Sequence, residues 1–203
     1  MPLYTVIKEV NGVGQRLNLE IVNNNGVLAN SYYHWSAYSG SAIELTEAVL
    51  SAFYDSPEDI SQLGLAVFML QETGAGIYSE ERERINADES GLYNGIEFQN
   101  SRDRNCGLLS VTQVGIDETE CWEEGRVTVN IENETVNFDV VWECTAEEYN
   151  DDMEDEDAFD ELTECDVSFE DIPFDEFYGV RDVWETYQDG FRTPSGYAVT
   201  WIG

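Results

Sequence analysis

Asp and Glu are the residue types whose number and spacing in this chain could support a chemical function. The 34 residues from Glu143 to Glu176 contain 17 Asp and Glu and no Lys, Arg or His. Such a surface repels nucleic acids and attracts the basic proteins that bind them. The sequence therefore indicates a surface for a basic partner more clearly than it indicates any reaction.

A calcium loop is the second interpretation of the acids in this stretch, in the run Asp151–Asp157. The EF-hand loop needs Gly at its sixth position and Glu at its twelfth. Counting from Asp151, these positions hold Glu156 and Leu162, so the pattern fails at both. We expect no specific metal site and no cofactor.

Catalytic patterns are weak elsewhere in the chain. His34, the only histidine, lies among Ser31, Ser36 and Ser39 and has the residue types of a base beside a nucleophile. Its place in an aromatic segment, next to Trp35, favours a structural role. The Gly-Ala-Gly sequence at 74–76 lacks the third glycine of a nucleotide-binding loop. We expect no catalytic residue and a protein that is not an enzyme.

The cysteines do not form a metal-binding pattern either. None belongs to a Cys-x-x-Cys pair, and the spacings of 15, 23 and 21 residues match no zinc motif. We expect reduced, mostly buried thiols. The four are Cys106, Cys121, Cys144 and Cys165.

Alternating apolar residues predict several strands that would support the acidic stretch. Residues 3–7 and 16–22 are strand-like, and the Asn-Gly pair at 25–26 predicts a hairpin into a return strand. Residues 107–116 form another candidate strand, and 127–131 with 136–142 form the clearest hairpin. Residues 197–202 predict a closing strand.

Helical spacing predicts helices between these strands. Apolar residues from Ile43 to Phe53 recur at helical spacing, and a second helix is expected to start at Ser56-Pro57 and stop at Gly74. The segment from Glu80 to Arg104 is expected to form loops with short strands.

The acidic stretch itself is predicted to contain a helix. Thr145-Ala146-Glu147-Glu148 has the pattern of a capping box, and a thin apolar stripe follows it. A helix from Ala146 to Cys165 would be roughly 30 Å long and would carry 11 carboxylates, one per ~2.7 Å. Duplex DNA carries one charge per about 1.7 Å. A second helix is expected from Phe174 to Tyr187.

These elements predict an α+β fold with an antiparallel sheet of meanders and hairpins and a few helices, including the acidic helix in the C-terminal half. Residues 1–110 would form an N-terminal part of strand meander and helices. Residues 111–203 would form a strongly acidic part of β-hairpin and helix, and the two parts could also be one continuous domain.

The charge of the whole chain limits the function. Among 203 residues there are 43 acids and 9 basic residues, a net charge of −34. Residues 111–203 hold 28 of the acids and 3 of the basic residues, so the excess is concentrated in one half. Direct nucleic-acid binding is excluded by this charge. The 42% apolar content, rich in aromatic residues, indicates a folded protein rather than an acidic tail.

No apolar run is long enough for a membrane span, and no signal-peptide pattern is present at the start of the sequence, so we expect a cytoplasmic protein.

In its net charge and in the stretch Glu143–Glu176, the chain resembles the phage and mobile-element proteins that imitate DNA, the anti-restriction and anti-CRISPR inhibitors. The resemblance implies occupation of the basic nucleic-acid channel of a host defence protein in the bacterial cytoplasm, with aromatic residues such as Phe174 as anchors. Two alternatives stay open: an immunity-type protein that neutralises a basic nuclease toxin, and a halophilic protein whose charge is a salt adaptation. The residues expected to bind the partner are Glu147, Glu148, Asp151, Asp152, Glu154, Asp155, Glu156, Asp157, Asp160, Glu161, Glu164, Glu170, Asp171, Asp175 and Glu176.

Overall fold

Seven strands form one mixed sheet in the computed structural model, which describes residues 16–34, 36–37, 39–102, 106–111, 125–145 and 162–177. Three helices and a helical turn at 174–177 accompany the sheet. The strands are β1 (Leu17–Asn23), β2 (Gly26–Tyr33), β3 (Gly76–Ile77), β4 (Cys106–Ser110), β5 (Gly125–Asn130), β6 (Thr135–Thr145) and β7 (Leu162–Pro173). The helices are α1 (Ser39–Tyr54), α2 (Gln62–Glu72) and α3 (Ser79–Ala87).

The spatial order of the strands is β3-β4-β2-β1-β5-β6-β7. Neighbours are antiparallel except for β1 with β5 and β3 with β4, which are parallel. The predicted α+β class is confirmed, and the sheet is mostly antiparallel. The pairing of β1 with β5 joins segments from both sides of position 110 in one sheet.

One face of the sheet is apolar because its strands alternate with a period of two. Leu17, Leu19 and Ile21 on β1 are fully buried, in register with Val127 and Val129 on β5. α2 contacts β1, β2 and β4, and α1 contacts α2 and β6. The opposite face is polar: Glu20 on β1 pairs in register with Thr128.

Both predicted hairpins are confirmed. Around the Asn-Gly turn, β1 pairs with β2 from Leu17↔Tyr33 to Asn23↔Gly26. Asn23 fastens this turn, since its Oδ1 accepts the N–H groups of Asn25 and Gly26. β5 pairs with β6 from Arg126↔Asp139 to Asn130↔Thr135.

The helix expected from Ile43 to Phe53 is confirmed as α1, but the predicted start of the second helix is wrong. α2 begins at Gln62, not at Ser56-Pro57, because Ser61 is its N-cap and accepts the Gly64 N–H at 3.1 Å. The residues between the two helices form an exposed connection instead. The expected stop is confirmed: α2 ends at Glu72, and Gly74 follows with φ +85°.

α3 occupies part of the segment where only loops and short strands were expected. Ile85 is its only large apolar residue, so no hydrophobic periodicity marks it in the sequence. A buried carboxylate holds it instead. Glu81 accepts hydrogen bonds from Arg84 Nη2 at 2.6 Å and from the Val111 N–H at 2.9 Å, which ties the helix to the end of β4.

The predicted helix from Ala146 to Cys165 is wrong at its C-terminal end, because Leu162–Cys165 begin strand β7. β7 pairs with β6 from Thr145↔Leu162 to Thr135↔Pro173. Thr163, Val167, Phe169 and Ile172 supply the β-branched and aromatic residues that favour a strand. The rest of that helix, residues 146–161, lies outside the described residues.

Other predictions fall partly or wholly outside the described residues: the strands at 3–7 and 197–202, Cys121, the second half of the 107–116 strand, and the helix to Tyr187 beyond its helical turn at 174–177.

Candidate functional site

The predicted partner-binding residues divide into three groups. Glu170 and Asp171 lie exposed near the end of β7, and Asp175 (exposed) and Glu176 (partly buried) lie in the helical turn that follows. Glu164 belongs to β7 rather than to a helix. The remaining ten lie outside the described residues, between the paired residues Thr145 and Leu162: Glu147, Glu148, Asp151, Asp152, Glu154, Asp155, Glu156, Asp157, Asp160 and Glu161.

The end of β7 is fastened to the turn between β5 and β6. The Phe174 N–H donates to the backbone oxygen of Glu134 at 2.9 Å. The Asp171 N–H donates to Asn137 Oδ1 at 2.7 Å, where the register of β6 and β7 shifts. An acidic turn and an acidic strand end, separated by more than 30 residues, therefore lie side by side.

Glu132 brings a third segment to the same place. Its Oε2 accepts the Asn24 N–H of the β1–β2 turn at 2.9 Å, and its Oε1 accepts Gln62 Nε2 at the start of α2 at 3.1 Å. The hydrogen bond from the Asn24 backbone, and then the one from Gln62, lower the pKa of Glu132 below its ordinary value. These bonds favour the ionised form, so Glu132 keeps its negative charge at neutral pH.

The connection between α1 and α2 completes this end of the sheet. The rings of Phe53 and Phe174 pack edge to face with centroids 5.2 Å apart, which brings the end of α1 beside the end of β7. The connection that follows carries three exposed acids, Asp55, Glu58 and Asp59. Sequence reasoning had assigned this stretch to a helix start and gave it no part in binding.

We define the acidic end by the nine carboxylates that these contacts gather. Of the five Lys and Arg residues that the structure describes, Arg126 lines a cleft together with Glu170, one of the nine. Arg16 is at the opposite end of β1, and Arg82, Arg84 and Arg102 are near β3 and α3. The nine are Asp55, Glu58, Asp59, Glu132, Glu134, Glu170, Asp171, Asp175 and Glu176.

Two members of the acidic end have left-handed backbones. Glu134 has φ 52° and Asp171 has φ 53°. Glycine, or less often Asn or Asp, is the usual residue in this conformation, because a Cβ atom crowds the following carbonyl. Glu134 is the unusual case, since Glu has no short side chain to compensate for the crowding.

Phe174 is not available as an anchor for a partner, contrary to expectation. It is 1% exposed and fills the space between α1 and the sheet, in ring contact with Phe53. An aromatic residue beside acids in the sequence was interpreted as a surface residue, whereas the fold uses it as core.

Metal ligands and the surroundings of His34 bear on the remaining sequence interpretations. Among the described residues, no three His, Cys, Asp or Glu side chains are placed to hold a metal ion. His34 Nδ1 lies 3.1 Å from the Tyr32 hydroxyl, which is within hydrogen-bonding distance.

Within the described part of the chain, no helix has the length and apolar character needed to cross a membrane. No protein-family model, curated protein or solved structure matches the chain.

Proposed function

We propose that this chain is an acidic DNA mimic that inhibits a host nucleic-acid-binding defence protein, a CRISPR–Cas effector or a restriction enzyme, by occupying its basic channel in the bacterial cytoplasm. The observation that carries the proposal is the acidic end. Three separate segments, 55–59, 132–134 and 170–176, bring nine carboxylates together there. Among the described basic residues, Arg126 lies in a cleft with one of them, Glu170.

The amount of charge is comparable with that of DNA. Nine charges equal the phosphate charge of about 15 Å of duplex, at about 1.7 Å per charge. Strand β7, which includes Glu164 of the expected acidic helix, has a lower density of charge. Its four carboxylates are spread over about 40 Å at about 3.3 Å per residue. Among the described residues, the charge that a basic partner would contact is therefore concentrated at the acidic end.

Strand β6 begins beside the acidic end, at Thr135, and ends at Thr145, ten residues further on, after which the sequence contains ten more carboxylates between 146 and 161. At about 3.3 Å per residue the two ends of β6 are about 33 Å apart, close to the roughly 34 Å of one turn of duplex. A partner that contacts one face of DNA at two positions a turn apart fits this spacing.

Capture from a bacterial lysate tests the proposal. The full chain is immobilised, a nuclease-treated lysate is passed over it, and retained proteins are identified during elution with rising salt. We expect nucleic-acid-binding proteins that elute as salt screens the ion pairs and that duplex DNA displaces by competition. Retained proteins that DNA does not displace contradict mimicry. Retention of basic nuclease toxins alone favours the immunity-type alternative.

A pair of variants with equal charge locates the surface. The first replaces Asp55, Asp59, Glu132 and Asp175 at the acidic end by their amides. The control replaces the exposed acids Glu80, Glu83, Asp88 and Glu89, on and after α3, in the same way. We expect the first to lower the affinity for the captured protein by at least about tenfold and the control to lower it far less. Equal losses would mean that net charge, rather than this surface, drives binding.

A further inference from the structure

A cleft of about 360 Å³ beside α3 differs from the acidic end in the sign of the charge around it. Ile77 and Leu108 give it an apolar wall, and Arg82, Asn100 and Arg102 give it polar groups that can donate hydrogen bonds. No carboxylate is among the described residues that line it. In a chain with 43 acids and 9 basic residues, two arginines around a cleft free of carboxylates form a local reversal of charge.

The two arginines of the cleft are not used in ion pairs. Arg84, two residues further along α3, pairs with Glu81 at 2.6 Å. Neither Arg82 nor Arg102 forms an ion pair with any residue that the structure describes. Arg82 donates from Nη2 to the backbone oxygen of Phe98 at 3.0 Å, and its buried Nε has no acceptor in this part of the chain. Both guanidinium groups therefore have donors left over for another anion.

The wall of the cleft is rigid. The Ile77 N–H donates to the Gln99 oxygen, and the Ser101 N–H donates to the Ile77 oxygen, each at 2.9 Å. β3 is so close to this segment that a Cβ on Gly76 would lie 2.5 Å from the carbonyl carbon of Asn100. Asn100 and Arg102 are thereby held at a fixed distance from α3.

We propose that this cleft binds the phosphate group of a small phosphorylated molecule. Guanidinium groups donate to phosphate oxygens in a geometry that suits them, and the Asn100 amide adds a neutral donor. The Ser79 hydroxyl donates to Glu80 Oε2 at 3.2 Å and is not needed for the site. The apolar wall accepts an organic group attached to the phosphate. The volume is at the lower end of the range for ligand pockets, which selects a small molecule. The net charge of −34 repels a long nucleic acid far more than a single phosphate. This site is independent of the proposed inhibition.

Titration calorimetry with phenyl phosphate as the probe tests the site on the full chain. We expect saturable binding, no binding of phenol, and weaker binding of benzoate, which carries fewer oxygens and less charge. Arg102→Gln should weaken phenyl phosphate binding about tenfold or more, because it removes charged hydrogen bonds. Arg102 is exposed and holds no other part of the structure by a hydrogen bond among the described residues, so the variant should fold.

Arg16→Gln is the matched control, since it removes one positive charge at the start of β1, away from the cleft. Equal weakening by Arg16→Gln and Arg102→Gln would overturn the proposal, as would phenol or benzoate binding as tightly as phenyl phosphate. The amide variant of the acidic end should bind phenyl phosphate at least as well as the unmodified chain. The phosphate-site proposal and the partner-binding proposal are therefore tested by different variants and different ligands, and either can fail without the other.

Discussion

Replacing Glu134 by glycine should stabilise the protein. Its φ of 52° lies in the left-handed region, its side chain is exposed, and the only contact it makes that the fold needs is through its backbone oxygen, which accepts the Phe174 N–H. A Cβ in this conformation costs about 1–2 kcal/mol, which glycine does not incur. Glycine also gains about 0.5–1 kcal/mol of freedom in the unfolded chain, which offsets part of this. The net gain is about 1 kcal/mol.

A series of three variants separates this backbone effect from the effect of charge. Glu134→Gln removes the charge alone, Glu134→Ala removes the charge and most of the side chain, and Glu134→Gly also removes the Cβ. For a chain of 203 residues, about 1 kcal/mol corresponds to roughly 2–4 °C in the melting temperature. Differential scanning calorimetry should therefore place the glycine variant that far above the alanine variant.

The refuting result is equal melting temperatures for Glu134→Ala and Glu134→Gly, which would mean that the turn relaxes to accept a Cβ without strain. If Glu134→Gln raised the melting temperature as much as Glu134→Gly does, the gain would come from relief of charge repulsion instead. Binding supplies a further comparison: all three variants should lower the affinity for the captured partner, because each removes one charge from the acidic end.

Three other changes probe the parts of the fold that position the two surfaces. Burial raises the pKa of the Tyr33 hydroxyl above its ordinary value of 10.0. The contribution of the neutral hydroxyl to the free energy of unfolding is therefore complete below pH 10.0 and is lost as the pH rises through the folded-state pKa. Thermal melts of Tyr33→Phe should show a smaller loss of stability in this alkaline range. Glu81→Gln should lower the free energy of unfolding, measured by urea denaturation, by about 2 kcal/mol, because the ion pair of a buried carboxylate with a partly exposed arginine is lost. Glu83→Gln, at an exposed position on the same helix, should change it by less than about 0.5 kcal/mol. Gly76→Ala should destabilise by about 2 kcal/mol and weaken phenyl phosphate binding, because its Cβ would overlap the backbone of Asn100; unchanged binding would show that the cleft wall is not held as described.

Local sequence signals were sufficient where an element is specified by its own residues. The Asn-Gly turn and the alternation of Val127 and Val129 predict their hairpins, because turn geometry and a buried face both fix the register. The apolar residues of α1 recur at helical spacing, and they predict that helix because they place one of its faces in the core. Charge is also a property of composition, so the acidic character needed no structure.

The helix prediction at Leu162–Cys165 failed because two periodicities compete there. Leu162 ends a thin helical stripe, while Cys165, Val167 and Phe169 alternate with polar residues at a period of two. The alternation is interrupted after Phe169, where Asp171 takes a positive φ and the register shifts. The strand is stabilised by pairing with β6, a contact between distant residues that neither pattern contains.

The sequence alone determined how much negative charge this protein carries and that most of it lies in the C-terminal half. Only the tertiary structure decided which charges share a surface. Asp55 and Glu132 are 77 positions apart, and they lie at the same end of the sheet because Phe53 packs on Phe174 while Glu132 binds both the β1–β2 turn and the start of α2. Such contacts depend on sheet order and on the packing of helix against sheet, which arise from burial of apolar surface over the whole domain. The same holds for the cleft, where the backbone pairing of Ile77 with Gln99 and Ser101 brings Arg102 opposite Arg82.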